Sequence, residues 1–114
     1  MSNLRNRPRK NTPHHVKVLD ETSGRVLGRV VDITSDGLML VSDQSVPRGL
    51  RTHLRINLPI MVQNRSDVTV EAEAVWSKQD TNPKFYTSGW KFINLGGEEG
   101  YLLEEVMHKL NLVG

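Results

Sequence analysis

The run from Val68 to Trp76 constrains the fold more strongly than any other part of the chain. Apolar residues occupy every second position of this run, and Thr69, Glu71 and Glu73 lie between them. A period of two places the apolar residues on one face of a β-strand. A strand with one polar face is typical of an antiparallel sheet that covers a core on one side only. The same alternation predicts that Trp76 continues the apolar face and lies in that core.

Five further short segments have strand-like patterns and are separated by turn signals such as Asp36-Gly37. We expect the fourth strand to end at Pro59 and a loop to follow around Gln63–Ser66. After Gly96-Gly97 the apolar period becomes helical, which predicts a helix over about residues 97–110. The additional predicted strands are Val16–Val18, Arg25–Ile33, Gly37–Ser42, Leu54–Leu58 and Gly89–Ile93.

These elements predict a mainly β protein, either a barrel or a sandwich, with a closing C-terminal helix. A length of 114 residues suits a single domain. Residues 1–14 are polar and contain Pro8 and Pro13, so we expect a flexible arm there and a folded domain over residues 15–114.

The distribution of charge points to an anionic partner. The first 19 residues hold five cations and no carboxylate, although the whole chain carries only +2. A basic arm of this kind suits nucleic acid, a membrane surface or a phosphorylated small molecule, and it is also typical of a solvated tail. The absence of cysteine excludes disulfides, thiolate metal sites and cysteine nucleophiles.

No motif indicates catalysis or a resident metal. The four histidines, His14, His15, His53 and His108, have no metal-helix spacing, and no serine lies in a GxSxG elbow. We therefore expect no enzyme activity and no metal cofactor. The sequence has neither a signal peptide pattern nor an apolar stretch long enough to span a membrane, so we expect a cytoplasmic protein without membrane insertion.

Two local motifs remain, and in combination they are informative. Arg5 and Arg9 form RxxxR in the basic arm, and Asp32, Thr34 and Gly37 form Asp-x-Thr-x-x-Gly where the second predicted strand meets the third. In this order and at this separation they resemble the PilZ domain family, whose signature is RxxxR followed by Asp/Asn-x-Ser-x-x-Gly. The resemblance extends to ITSDGLML at residues 33–40 and SGWKFINL at residues 88–95, and it covers nearly the whole chain.

The resemblance implies a six-stranded antiparallel β-barrel that binds cyclic di-GMP. Guanidinium groups such as those of Arg5 and Arg9 bind phosphate oxygens and the O6/N7 edge of guanine. The carboxylate of Asp32 suits the N1 and N2 protons of guanine, and Gly37 lets the turn approach the ligand. Thr34 stands where the family has serine, so the hydroxyl is kept and a methyl group is added.

Four further residues are secondary candidates for ligand contact. Leu4 would pack on ligand or barrel once the arm is ordered, and Arg7 adds charge or is simply solvated. Ser35 could replace Thr34, although neighbouring strand residues face opposite sides. Trp76 could stack on a guanine, but its place in the alternating run favours the core.

The partners implied are cyclic di-GMP and an effector protein that the sequence does not identify. We expect the ligand to order the arm and so to create a surface that the effector recognises. One alternative is a small barrel that binds nucleic acid, against which the few aromatic residues argue. A second alternative is a PilZ-like interaction module without ligand, against which the presence of both motifs argues.

Overall fold

Within residues 16–109, six antiparallel strands close into a barrel that carries one helix at its end. The computed structural model describes residues 16–109, and the strands follow one another around the barrel in the order β1-β2-β3-β6-β5-β4. The predicted barrel architecture is therefore confirmed. The elements are β1 Lys17–Asp20, β2 Val26–Ile33, β3 Gly37–Ser42, β4 Arg51–Val62, β5 Arg65–Gln79, β6 Tyr86–Phe92 and α1 Gly97–Lys109.

The barrel interior is built from the alternating apolar residues. From Val68 to Ala74 every second residue of β5 is buried, as the sequence pattern predicts. Trp90 of β6 also points into the core, where its indole Nε1 donates a hydrogen bond of 2.9 Å to the hydroxyl of Ser88. The buried Ser88 thus satisfies the one polar atom of the indole, as buried polar groups require.

The hairpin of β4 and β5 is longer than the sequence predicts. β4 continues past Pro59 to Val62, and the pairing register with β5 shifts between Asn57 and Val62. Proline is tolerated here because the irregular stretch needs no ladder hydrogen bond from its nitrogen. The loop predicted around Gln63–Ser66 is a two-residue turn at Gln63 and Asn64, both with positive φ, and Arg65 already belongs to β5.

The C-terminal helix packs on this long hairpin. Its buried face touches the core, and the side-chain amide of Gln63 donates a hydrogen bond of 2.9 Å to the carboxylate of Glu105. The described part of the helix agrees with the predicted span, whereas residue 110 lies outside the described residues. Within residues 16–109 no helix combines the length and the apolar composition that a membrane crossing requires. The buried helical residues are Leu102, Leu103, Val106 and Met107.

The turn between β1 and β2 is held by the carboxylate of Asp20. One oxygen accepts hydrogen bonds from the Thr22 amide at 3.0 Å and from the Thr52 hydroxyl of β4 at 2.8 Å. The other oxygen accepts a bond of 3.2 Å from the Ser23 hydroxyl. Asp20 therefore ties this turn to the neighbouring strand β4.

Candidate functional site

The Asp-x-Thr-x-x-Gly segment forms the connection from β2 to β3. The Thr34 amide donates a hydrogen bond of 2.9 Å to the Gly37 carbonyl, and the Thr34 hydroxyl accepts one of 3.2 Å from the Asp36 amide. Thr34, Ser35 and Asp36 are all exposed and lie in the turn. The strand alternation that argues against Ser35 as a replacement for Thr34 does not apply, because neither residue belongs to a strand.

A β-bulge sets the direction of Asp32. Val30 pairs with Leu40 and Asp32 pairs with Met39, so Val31 is an extra residue on β2. Val30 and Ile33 are buried, and the bulge lets Asp32 lie on the outer surface between them. Its Oδ1 accepts a hydrogen bond of 3.0 Å from the Ile33 amide, which fixes the carboxylate at the end of the strand.

Gly37 is required by its neighbour strand and not by its backbone angles. In a hairpin, Asp-Gly commonly supplies a positive φ, but Gly37 is not among the described glycines with a positive φ. Instead, a β-carbon at Gly37 would overlap the carbonyl oxygen of Trp90 on β6. Close packing against β6, and not a positive φ, is thus the reason for glycine at this position.

Trp76 lies outside the barrel, so the prediction that it belongs to the core is wrong. The pairing of β5 with β6 shifts between Ala74 and Trp76, and this bulge reverses the facing of the residues that follow. Trp76 is 36% exposed, and its indole lies on Gly89 of β6, where a β-carbon would overlap the ring. Gly89 faces outward, because its neighbours Ser88 and Trp90 face the interior. It is nevertheless buried, because the Trp76 indole covers it.

The outward Trp76 and the motif carboxylate belong to one row of residues, which we call the outer row. Cross-strand pairing joins Asp32 of β2 to Met39 of β3, Met39 to Gly89 of β6, and Gly89 to Trp76 of β5. Three strand spacings of about 4.8 Å separate its ends by about 14 Å. The outer row therefore has a carboxylate at one end and an aromatic ring at the other. The residues between them, Met39 and Gly89, carry no bulky polar side chain.

Cations flank the outer row on both sides. One adjoining row runs from Gly37 through Lys91 to Glu73, and the other runs from Arg29 through Val41 and Thr87 to Lys78. The Lys78 ammonium lies 5.6 Å from the centre of the Trp76 ring, within the range of a cation–π contact. This arrangement suits a planar, hydrogen-bonding ring that carries anionic groups.

Lys78, Lys91 and Gly89 were not among the candidates predicted from the sequence. One signal could have found Gly89, because an isolated glycine inside a strand marks a close approach of another group. Nothing in the sequence pattern reveals the bulge that brings Lys78 and Trp76 to the outer surface.

The remaining predicted site residues lie outside the described residues. These are Leu4, Arg5, Arg7 and Arg9, and the histidines His14 and His15 lie there too. The described chain begins beside the site, because the Val30 amide donates a hydrogen bond of 2.9 Å to the Val16 carbonyl. Between residues 16 and 109 there is no cluster of three or more histidine or carboxylate side chains able to hold a metal ion.

Comparison with known families identifies the class of this barrel. The PilZ domain model matches residues 3–108, which is almost the entire chain. The chain is a member of the PilZ domain family, and the resemblance carried by its two motifs is confirmed. No curated protein sequence gives a significant match.

Three solved structures share the fold at low sequence identity. The inhibitor of motility MotI/DgrA of Bacillus subtilis aligns with a TM-score of 0.64 and 17% identity, over 92% of this chain and 53% of that chain. The PilZ domain of Escherichia coli YcgR with c-di-GMP gives a TM-score of 0.62 and 15% identity, with coverages of 90% and 85%. MrkH of K. pneumoniae in its apo state gives 0.64 and 14%, with coverages of 93% and 50%. This chain thus spans about half the length of MotI/DgrA and MrkH.

Proposed function

We propose that this chain is a cytoplasmic receptor for cyclic di-GMP that acts without turning the ligand over. Membership of the PilZ family supports the ligand class, and the YcgR domain of the same fold is a complex with c-di-GMP. Arg5, Arg9, Asp32, Thr34 and Gly37 are the proposed primary contacts. Cyclic di-GMP combines two phosphate charges with two guanines, which is the combination of groups that the outer row and its flanking cations suit.

The observation that carries the proposal is the hydrogen bond between Val16 and Val30. Val30 is two residues from Asp32, so the chain that bears the arginine motif enters the barrel next to the Asp-x-Thr-x-x-Gly motif. The seven residue steps from Arg9 to Val16 span at most about 24 Å when extended. This reach exceeds the length of the outer row, and both motifs can therefore act on one ligand.

The proposed role of each contact residue follows from the chemistry of its side chain. Asp32 accepts the N1 and N2 protons of a guanine and so selects that base. Arg5 and Arg9 neutralise the phosphates, and Thr34 and Gly37 shape the turn beneath the ligand. Trp76 supplies a stacking surface for a guanine at the far end of the outer row, while Leu4, Arg7 and Ser35 are secondary contacts.

Isothermal titration with cyclic di-GMP tests the proposal directly. We expect saturable binding, no comparable binding of GTP or of single-stranded oligonucleotides, and recovery of intact cyclic di-GMP after prolonged incubation. Preference for the oligonucleotides would favour a nucleic-acid-binding barrel instead. Absence of binding to all three would favour a PilZ module that contacts only proteins. Recovery of linear dinucleotide or GMP would contradict the non-enzymatic part of the proposal.

We further propose that ligand binding orders the arm and that an effector protein recognises the new surface. Fixing each residue costs about 1–2 kcal/mol, which limits ordering to the few residues clamped around Arg5 and Arg9. Charge-assisted hydrogen bonds to the phosphates offset that cost. Backbone NMR relaxation with and without cyclic di-GMP measures the change, and equal mobility of the arm at saturation would contradict the switch even where binding is real.

A further inference from the structure

Lys78 is a cation beside the outer row that belongs to neither of the two motifs. It lies two residues beyond Trp76 on β5, and it pairs with Thr87 just as Trp76 pairs with Gly89. The two side chains therefore project from the same outer surface. The Lys78 ammonium is 5.6 Å from the centre of the Trp76 ring.

Only one side of the Trp76 indole is accessible to a ligand. The inner side lies against β6, where a β-carbon on Gly89 would overlap the atoms Nε1 and Cε2 of the ring. Since the strand backbone occupies the inner side, the ammonium of Lys78 lies over the side that faces solvent. A base that stacks on Trp76 and the ammonium of Lys78 consequently compete for the same position.

We propose that Lys78 covers the Trp76 ring in the absence of ligand and moves to a ligand phosphate when a base stacks there. This inference rests on the proposed binding of cyclic di-GMP and adds a specificity-determining contact to that site. Asp32 lies at one end of the outer row, about 14 Å away by strand spacing. The second phosphate of the ligand lies toward the other end, where Lys78 supplies the positive charge on β5.

The exchange of partners has a consequence for selectivity. A stacked base that carries no phosphate displaces the Lys78 ammonium from the Trp76 ring. The cation–π contact is then lost, and no hydrogen bond to a phosphate replaces it. A phosphorylated ligand replaces the cation–π contact by a charge-assisted hydrogen bond, which is the stronger interaction. Lys78 thus favours an anionic nucleotide over a neutral aromatic compound at the Trp76 end of the site.

The test is titration of Lys78→Met with cyclic di-GMP at several salt concentrations. Methionine keeps an apolar stem over the ring and removes the charge. Loss of one charge-assisted hydrogen bond, partly offset because the cation–π contact with Trp76 no longer has to be broken, predicts a roughly five- to tenfold weaker Kd, together with a smaller dependence of Kd on salt. Lys78→Arg should restore most of the affinity and the salt dependence. Lys84→Met, which removes an exposed cation from the turn of the same hairpin, should leave both unchanged.

The outcomes separate this inference from the proposed function. Binding by the parent with an unchanged or tighter Kd in Lys78→Met would overturn the role of Lys78, because a mere competitor for the ring gives tighter binding when it is removed. The receptor function would survive that result. Absence of binding by the parent protein would overturn both. A thermal melt that matches the parent guards against misfolding of the variant as the cause of weaker binding.

Discussion

Gly37 of β3 and Trp90 of β6 approach so closely that a β-carbon on the glycine would overlap the carbonyl oxygen of the tryptophan. The obstacle is backbone, which cannot swing aside as a flexible side chain would. The motif glycine therefore has a role in the packing of the sheet that is independent of any ligand. A larger residue at this position should therefore destabilise the barrel whether or not a ligand is present.

Gly37→Ala should lower the free energy of unfolding by about 1–3 kcal/mol, the usual range for overpacking in a tight contact. Denaturant unfolding measures this without ligand. Gly97→Ala is the matched control, because a β-carbon there meets no atom within 4 Å. Equal stability of Gly37→Ala and the parent would mean that the two strands separate at little cost.

Gly89→Ala should destabilise the barrel through Trp76, whose ring occupies the place of the new methyl group. The cost should fall when Trp76→Ala is made as well, since the obstacle is then removed. A double-mutant cycle in denaturant should give a coupling energy of about 0.5–3 kcal/mol, as for other residues in contact. Strict additivity of the two changes would show that the ring can leave Gly89 freely.

Arg9→Ala and Asp32→Ala should impair ligand binding in different ways. Arg9→Ala removes a charge-assisted contact, so we expect a loss of about 1.5–3 kcal/mol and a weaker dependence of Kd on salt. Asp32→Ala should mainly reduce the preference for cyclic di-GMP over cyclic di-AMP. Calorimetry with both ligands distinguishes these effects, with Arg48→Ala and Asp43→Ala as exposed controls from the β3–β4 loop. Parent-like binding by both site variants would place the ligand elsewhere.

Thr34→Ser should leave binding unchanged or slightly stronger, because serine keeps the hydroxyl that accepts the hydrogen bond from the Asp36 amide. Thr34→Val keeps the shape and loses the hydroxyl, so the turn should be destabilised by up to about 1 kcal/mol. Titration and denaturant unfolding of both variants test this pair of expectations. A large loss of affinity in Thr34→Ser would indicate that the methyl group packs on the ligand.

Asp20→Asn should reduce stability at neutral pH and matter less in acid. Burial alone would raise the pKa of the Asp20 carboxyl, but hydrogen bonds from Thr52, Thr22 and Ser23 outweigh it and hold the pKa below its ordinary value. A carboxyl with a lowered folded pKa stabilises the fold at neutral pH, and the contribution is lost as pH falls below about 4 and through the folded pKa. Unfolding of parent and variant from pH 7 to pH 3 should therefore converge. A gap that stays constant with pH would exclude the carboxylate charge as its source.

The sequence predicted the strands because their residues alternate and their turns carry glycine or aspartate, and the resemblance to the PilZ family decided for a barrel over a sandwich. The pattern failed where one strand gains a residue, since a bulge reverses the facing of everything after it. Trp76 was misplaced for this reason, because alternation was assumed to continue past Ala74. For Ser35, alternation was assumed to continue past Ile33, where β2 ends and the turn begins. Lys78 was missed because its importance depends on the same bulge and on Gly89 of a different strand. Asp32 and Gly37 could be predicted without knowledge of the bulges, because their motif is defined by residue types and their spacing along the chain.

The contact of Val16 with Val30 also bears on how the barrel stays shut. β1 is the shortest of the described strands, with four residues, yet it pairs with both β2 and β4 and so closes the barrel. The chain that carries Arg5 and Arg9 runs directly into this strand. A ligand that binds the arm would therefore also restrain the strand that closes the barrel, and amide hydrogens along Lys17–Asp20 should exchange with solvent more slowly in the complex. A small molecule bound on the outer surface would thus stabilise the closure of the barrel through the covalent connection between the arm and β1.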